Sequence, residues 1–202
     1  FREALTNRRS MGYTLAMTAI TGSLFGFINS SQQIFFDVFD EPALFTTFFG
    51  LMAGGVAIAS LLNARLVERL GSRLISHTAL MGFIAMGLIH SVVTLGGYET
   101  IWTFAVLQGL TMFCFGLIAG NFGAMAMEPM GHIAGTASSA QGFISTTAGS
   151  TLGFLIGQQF NGSVAPLALG VTGCGLLALV AVLFAERGQL FSSRGPAQPP
   201  AV

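Results

Sequence analysis

The side chains of this 202-residue chain that could do chemistry are few, and most of them are neutral. Carboxamides and hydroxyls gather in three of its long apolar stretches. The first carries Thr14, Thr18, Thr21, Ser23, Asn29, Ser30, Ser31, Gln32 and Gln33, and the fourth Gln108, Thr111 and Asn121. The fifth carries Ser138, Ser139, Gln141, Ser145, Thr146, Thr147, Ser150, Gln158 and Gln159. Such groups hydrogen-bond a solute without transforming it. In an apolar surrounding they want a bundle interior or a wet cavity, because an unsatisfied amide is costly there. Hydrogen bonding from helix to helix is the competing account. No Asp, Glu, Arg or Lys lies deep in any stretch, so His90, beside Ser91, is the one candidate for a buried titratable relay. A hydrogen-bonded structural histidine is the plainer reading. The charges that do cluster are Arg65, Glu68, Arg69 and Arg73, around Gly71. An acid set among arginines can pair across helix ends and latch one arrangement. The plainer reading is a basic loop that only orients the chain.

Catalysis has no support. No G-x-S-G serine of the intramembrane-protease kind occurs and the sixth stretch has no histidine, so the chain reads as no enzyme. Cys114 and Cys174 read as small packing residues rather than as a disulfide or metal pair, and no cofactor or metal is expected. Val93 to Tyr98 faintly resembles a channel filter but only ends a stretch, so it reads as a turn.

The elements that position these residues follow from the charge-free intervals. Charged residues are 8% of the chain, against about 25% in a soluble domain, and hydrophobic ones 52%. Arg9 and Asp37 bracket 27 uncharged residues, Glu41 and Arg65 bracket 23, Arg73 and Glu99 bracket 25, and Glu99 and Glu128 bracket 28. About 20 apolar residues cross the hydrocarbon as a helix, so each interval holds one span. Pro129 to Ala185 holds two, broken at Asn161-Gly162-Ser163 and Pro166. The result is an all-α polytopic membrane protein, a six-transmembrane-helix bundle spanning 12–185, with spans at about 12–34, 44–63, 74–95, 101–126, 137–159 and 165–185. Helices are the reading because an open strand edge cannot be satisfied in lipid. The sixth span, nearly all Leu, Val, Ala and Gly, can face lipid all round. Glycines spaced by four (Gly22 and Gly26, Gly50 and Gly54, Gly116 and Gly120, Gly149, Gly153 and Gly157) are expected to let helices approach closely.

Six spans put all eight arginines on one face: Arg2, Arg8, Arg9, Arg65, Arg69, Arg73, Arg187 and Arg194. The positive-inside rule places both termini in the cytoplasm. Asp37, Asp40, Glu41 and Glu99 fall in the outer loops. Residues 1–11 read as a cytoplasmic linker. Residues 186–202, with Pro196, Pro199 and Pro200, read as a disordered cytoplasmic tail. No signal peptide is visible, and a start at Phe1 suggests a piece of something longer. Zero formal charge gives no reason to expect a nucleic-acid partner.

The run Asn63-Ala64-Arg65-Leu66-Val67-Glu68-Arg69-Leu70-Gly71-Ser72-Arg73 resembles the major facilitator superfamily loop G-x-L-x-D-R-x-G-R-R. Leu66, Arg69, Gly71 and Arg73 match and Glu68 stands for Asp, while Ala64 and Ser72 depart from the pattern. Ser60 to Val67 and Ile133 to Ala140 look like passages of the Bcr/CflA drug-resistance branch, the second being the A-G-T-A-S run that opens its eleventh helix. The resemblance covers about Met11 to Phe184. It implies half of a major facilitator fold: the C-terminal six-helix half of a proton-coupled exporter in a bacterial inner membrane. Its partners would be an N-terminal six-helix half, the bilayer and a small lipophilic substrate, and a proton gradient would be the energy source. The family's coupling acid would belong to the other half.

On that reading the substrate cavity draws on Phe25, Asn29 and Gln33 of the first span, Gln108, Met112 and Phe115 of the fourth, and Gln141, Ser145 and Thr146 of the fifth. Arg65, Glu68, Arg69, Gly71 and Arg73 form the latch loop. The alternative is a six-helix module, or a truncated fragment, that transports nothing until it pairs with a second half.

Overall fold

The computed structural model describes residues 6–191. Arg2, Arg194 and the tail prolines, to which expectations were attached above, lie outside the described residues. Six long helices follow one another. α1 (Arg8–Gln33) starts where the Asn7 side chain accepts from the Arg9 and Ser10 amides, satisfying two orphan donors of the first turn. It continues into a π-helical turn, Ile34–Val38. α2 (Pro42–Leu70) has its proline in the first turn, where no amide hydrogen is needed. α3 (Ser72–Leu95) follows after one residue. α4 (Ile101–Met127) opens on a reciprocal cap between Thr100 and Thr103. A 3-10 turn, Glu128–Ile133, leads to α5 (Ala134–Gln158), and α6 (Ala165–Ala185) closes the bundle.

No strand occurs among the described residues. The shortest of the helices, α6, has 21 residues, about 30 Å at 1.5 Å per residue, which matches the hydrocarbon thickness. Residues 101–158 run as consecutive helical segments without an intervening loop. They divide into two helices at Met130, whose φ of −112° and ψ of 17° leave the helical region. The all-α membrane bundle read from the sequence is the architecture found.

One boundary differs in a way that matters. α2 runs on to Leu70, so Arg65, Glu68 and Arg69 ride on its last two turns rather than in a loop. Arg, Leu and Glu are good helix formers, and long basic side chains reach polar surroundings from a helix end. The joint between α2 and α3 is Gly71 alone, at φ +80°, a conformation that a residue with a Cβ rarely adopts.

α1 is the centre of the bundle, packed against α4, α5 and α6, and α3 packs on both α4 and α6. α2 and α5 flank this group, α2 mainly on α4 and α5 mainly on α1. The expectation that α6 faces lipid all round is corrected. Leu167, Ala168, Val171, Thr172, Cys174, Ala178 and Val182 form a buried stripe between α1 and α3. Uniform apolarity gave no sequence signal for that stripe; the small residues Ala168, Gly175 and Ala178 let its neighbours close in.

Glycine spacing works at two crossings and not at a third. A Cβ on Gly153 would fall 2.3 Å from the Phe25 Cβ, one on Gly149 would fall 2.9 Å from Thr21 Cγ2, and one on Gly22 would fall 2.9 Å from the Leu152 Cβ. α1 and α5 therefore approach through glycines on both helices. Gly116 lets α4 approach α2, since a Cβ there would fall 2.6 Å from the Val56 carbonyl oxygen. Gly50 and Gly54, expected to pack likewise, face open space. At the end of the bundle away from the arginines, aromatics fill the core. Phe35 packs on Phe39, Phe45, Phe48 and Phe104, and Trp102 lies 5.7 Å from Phe48.

Candidate functional site

At the arginine end, charged groups from four helices converge. Glu186, just past α6, is 2% exposed, and the Tyr13 hydroxyl of α1 donates to its Oε1 at 2.8 Å. Arg73 Nε of α3 lies 3.3 Å from the same oxygen and Arg9 Nε of α1 lies 3.5 Å from it. Both arginines also reach Glu128, at the end of α4, with Arg9 Nη2 at 2.7 Å and Arg73 Nη2 at 3.9 Å. Two cations and two anions balance, so a carboxylate is buried without being isolated.

His77 of α3, wholly buried, extends the set: its Nε2 is 3.2 Å from the Tyr13 hydroxyl, and its Nδ1 accepts the Phe191 amide at 3.3 Å. With Nδ1 accepting and Tyr13 donating to Glu186, Nε2 must carry the proton and donate to Tyr13. A chain of hydrogen bonds thus runs from the Phe191 backbone through His77 and Tyr13 to Glu186. Residues 186–191, expected to begin a disordered tail, are ordered by these contacts and by the edge of Phe191 against His77. The rest of the expected tail, 192–202, lies outside the described residues.

Of the five residues read as a latch, Arg73 is in this network and Gly71 supplies the joint beside it. Arg65, Glu68 and Arg69 are exposed, and no hydrogen bond or ion pair engages them among the described residues. Arg9, Tyr13, His77, Glu128 and Glu186 were not picked out from sequence. The signal available was that Glu128 and Glu186 end the fourth and sixth spans, which brings both to the arginine face. His77 was passed over because it stands only a few residues into its span.

His90 is 1% exposed at the opposite end of α3, its Nε2 3.4 Å from Glu99 Oε2 and its ring 5.7 Å from Phe104. Ser91 beside it shares a hydrogen bond with Thr172 of α6 at 3.0 Å. His90 thus meets a carboxylate from the loop before α4.

The nine residues read as cavity-lining fall into three groups. Gln108, Met112 and Phe115 are buried inside the bundle, Gln108 with neither amide atom hydrogen-bonded. Gln141 and Ser145 meet α1 in its first half: Gln141 borders a small gap with Ser10, Met11 and Thr14, and the Ser145 hydroxyl lies 3.4 Å from that of Thr18. Thr146 is exposed, and Phe25 lies at the Gly153 crossing. Asn29 and Gln33 border a cavity of about 200 Å³ with Phe154, Gly157 and Gln158, at the end away from the arginines.

Much of the polar content needs no cavity. Thr14, Thr18, Thr111, Ser139 and Thr151 donate to carbonyls one turn back on their own helices. Asn121 donates to Asn63 of α2 at 2.6 Å, so this polar residue of α4 serves helix pairing.

The chain is 25% identical over 188 residues to a protein of Haemophilus influenzae named "Bicyclomycin resistance protein homolog", a match covering 92% of this chain and 46% of that one. It is 26% identical over 141 residues to "Uncharacterized MFS-type transporter YdgK" of Bacillus subtilis, covering 67% of this chain and 34% of that one. The resemblance to a Bcr/CflA-type major facilitator transporter is borne out. The chain is an integral membrane protein, and it spans less than half the length of either relative. No family model and no solved structure matches it. Within this Bcr/CflA-like chain, Arg73 stands at a position of the superfamily loop and carries ion pairs to the ends of α4 and α6.

Proposed function

We propose that this chain is the C-terminal six-helix half of a transporter that exports small lipophilic compounds, driven by a proton gradient, in a bacterial inner membrane with both termini cytoplasmic. The observation that carries this is the match over most of the chain to a protein named for bicyclomycin resistance and to one named an MFS-type transporter, together with the degenerate loop and the A-G-T-A-S run. The arginine end would be the cytoplasmic one. There the network of Arg9, Arg73, Glu128 and Glu186 ties four helices into one body, as suits rocking of two rigid halves about a central site.

The substrate path would run along the faces that α2 and α5 leave uncovered, which a second six-helix half would close. Phe25, Asn29, Gln33, Gln141 and Thr146 approach such a path from α1 and α5. Gln108, Met112 and Phe115 would join it only if the bundle opens.

The test is ethidium efflux from proteoliposomes with an imposed proton gradient. Efflux that stops when the gradient is collapsed supports the reading. Efflux indifferent to the gradient overturns proton coupling, and none from the intact protein overturns export. A second reading has a specific observation behind it. α2 and α5 each pack mainly on one neighbour, as in a module that acts only when paired. Efflux by the 202 residues alone counts against both pairing and the half-transporter assignment.

A further inference from the structure

The cavity between Asn29, Gln33, Phe154, Gly157 and Gln158 is lined by three carboxamides, one aromatic ring and one glycine, with no charged side chain. It lies where α1 and α5 end, on the face opposite the Arg9–Glu186 network. Among the described residues no hydrogen bond engages the side chains of Asn29, Gln33 or Gln158. Gly157 makes the room: a Cβ there would fall 3.0 Å from the Asn29 Cβ.

Each carboxamide offers two N–H donors and one oxygen acceptor, so three together suit a group that both donates and accepts. No carboxylate is present to compensate a cation, nor a basic side chain to compensate an anion, so the lining matches a neutral polar group better than a charged one. Drug-sized ligands occupy about 300–1,000 Å³, so about 200 Å³ takes one end of such a molecule. Phe154 supplies a ring face beside the amides.

We propose that Asn29, Gln33 and Gln158 form a subsite for the neutral amide end of a ligand, at the mouth from which an exporter releases its cargo. Asn29 and Gln33 were foreseen as cavity residues; Phe154 and Gln158 are added by the structure. The release role rests on the transport reading above, and the binding itself does not.

The experiment uses the intact protein in nanodiscs and two probes of one shape, 4-fluorobenzamide and 4-fluorobenzamidinium, followed by ¹⁹F line broadening against empty nanodiscs. The neutral amide should bind at least about tenfold more tightly than the cation, and Q33A/Q158A should lose about tenfold, as two hydrogen bonds imply. Gln32→Ala, an exposed amide outside the cavity, should bind as the parent does. Gln158→Glu keeps the shape, adds a negative charge at an exposed helix end, and should turn the preference toward the amidinium. Equal binding of both probes, unchanged binding in Q33A/Q158A, or an unchanged preference in Gln158→Glu overturns the subsite. If Q33A/Q158A does not fold, the Gln158→Glu preference decides. Binding without gradient-driven efflux counts against the transport reading alone, and efflux without amide binding counts against the subsite alone.

Discussion

The Tyr13 hydroxyl donates to the Glu186 carboxylate at 2.8 Å, joining the first turns of α1 to the residue that ends α6. Both groups are buried, and the bond spans 173 positions of sequence. Tyr13→Phe removes it while keeping the ring that packs on Phe122. A hydrogen bond to a charged group contributes about 1.5–3 kcal/mol, so Tyr13→Phe should be less stable by that amount. Thermal unfolding in detergent checks it, and an unchanged midpoint would show that the bond carries nothing.

Glu186→Ala should cost more than Tyr13→Phe. It leaves Arg9 and Arg73 facing each other, with Glu128 still shared between them. Removing one member of a buried ion pair costs about 3–5 kcal/mol. The order of the two melting temperatures is the measurement, and the reverse order would place the network's stability elsewhere.

Gly153→Ala and Gly50→Ala should part company. The first sets a Cβ against Phe25, an overpacking worth about 1–3 kcal/mol of destabilisation. The second meets open space on an exposed helix face and should be neutral, or stabilising by up to about 1 kcal/mol through helix propensity. Equal effects in thermal melts would mean that α1 and α5 do not cross where described.

Asn63 and Asn121 should be coupled. A double-mutant cycle with alanine at both positions is expected to give about 0.6 kcal/mol, and no more than about 1.7, as for other hydrogen bonds between membrane helices. Additive single effects would mean that the 2.6 Å contact is not made.

Arg65→Ala and Arg69→Ala should leave the stability of the chain, read from thermal melts, within about 0.5 kcal/mol of the parent, as exposed side chains without partners among the described residues do. Arg73→Ala should not. A large loss from Arg65→Ala would return the whole cluster to the role of a latch within this half.

The class of the fold was legible because lipid demands length and apolarity, and charge-free intervals record both. Helix rotation was not legible where composition is uniform, and α6 shows why: Leu, Val, Ala and Gly on every face leave the buried stripe without a mark. Polar residues misled for a different reason. Thr14, Thr18 and Thr111 satisfy their hydroxyls on their own helices, so their presence on a span does not announce a cavity. Arg73 could be found from a local motif. Its acidic partners Glu128 and Glu186 could not, because pairing across 55 and 113 positions leaves no local spacing to read.

The central position of α1 has a consequence for biosynthesis. Of the six described helices α1 is translated before the other five, and two of the three that bury it, α5 and α6, are translated last of the six. At about 5–20 residues per second, Tyr13 waits on the order of ten seconds or more before Glu186 is made. Through that interval Arg9, Thr14, Ser23 and the glycines of α1 stand in or beside the bilayer without their eventual neighbours. The pairing of Tyr13 with Glu186 is therefore a late step of assembly, completed only after α6 has been made.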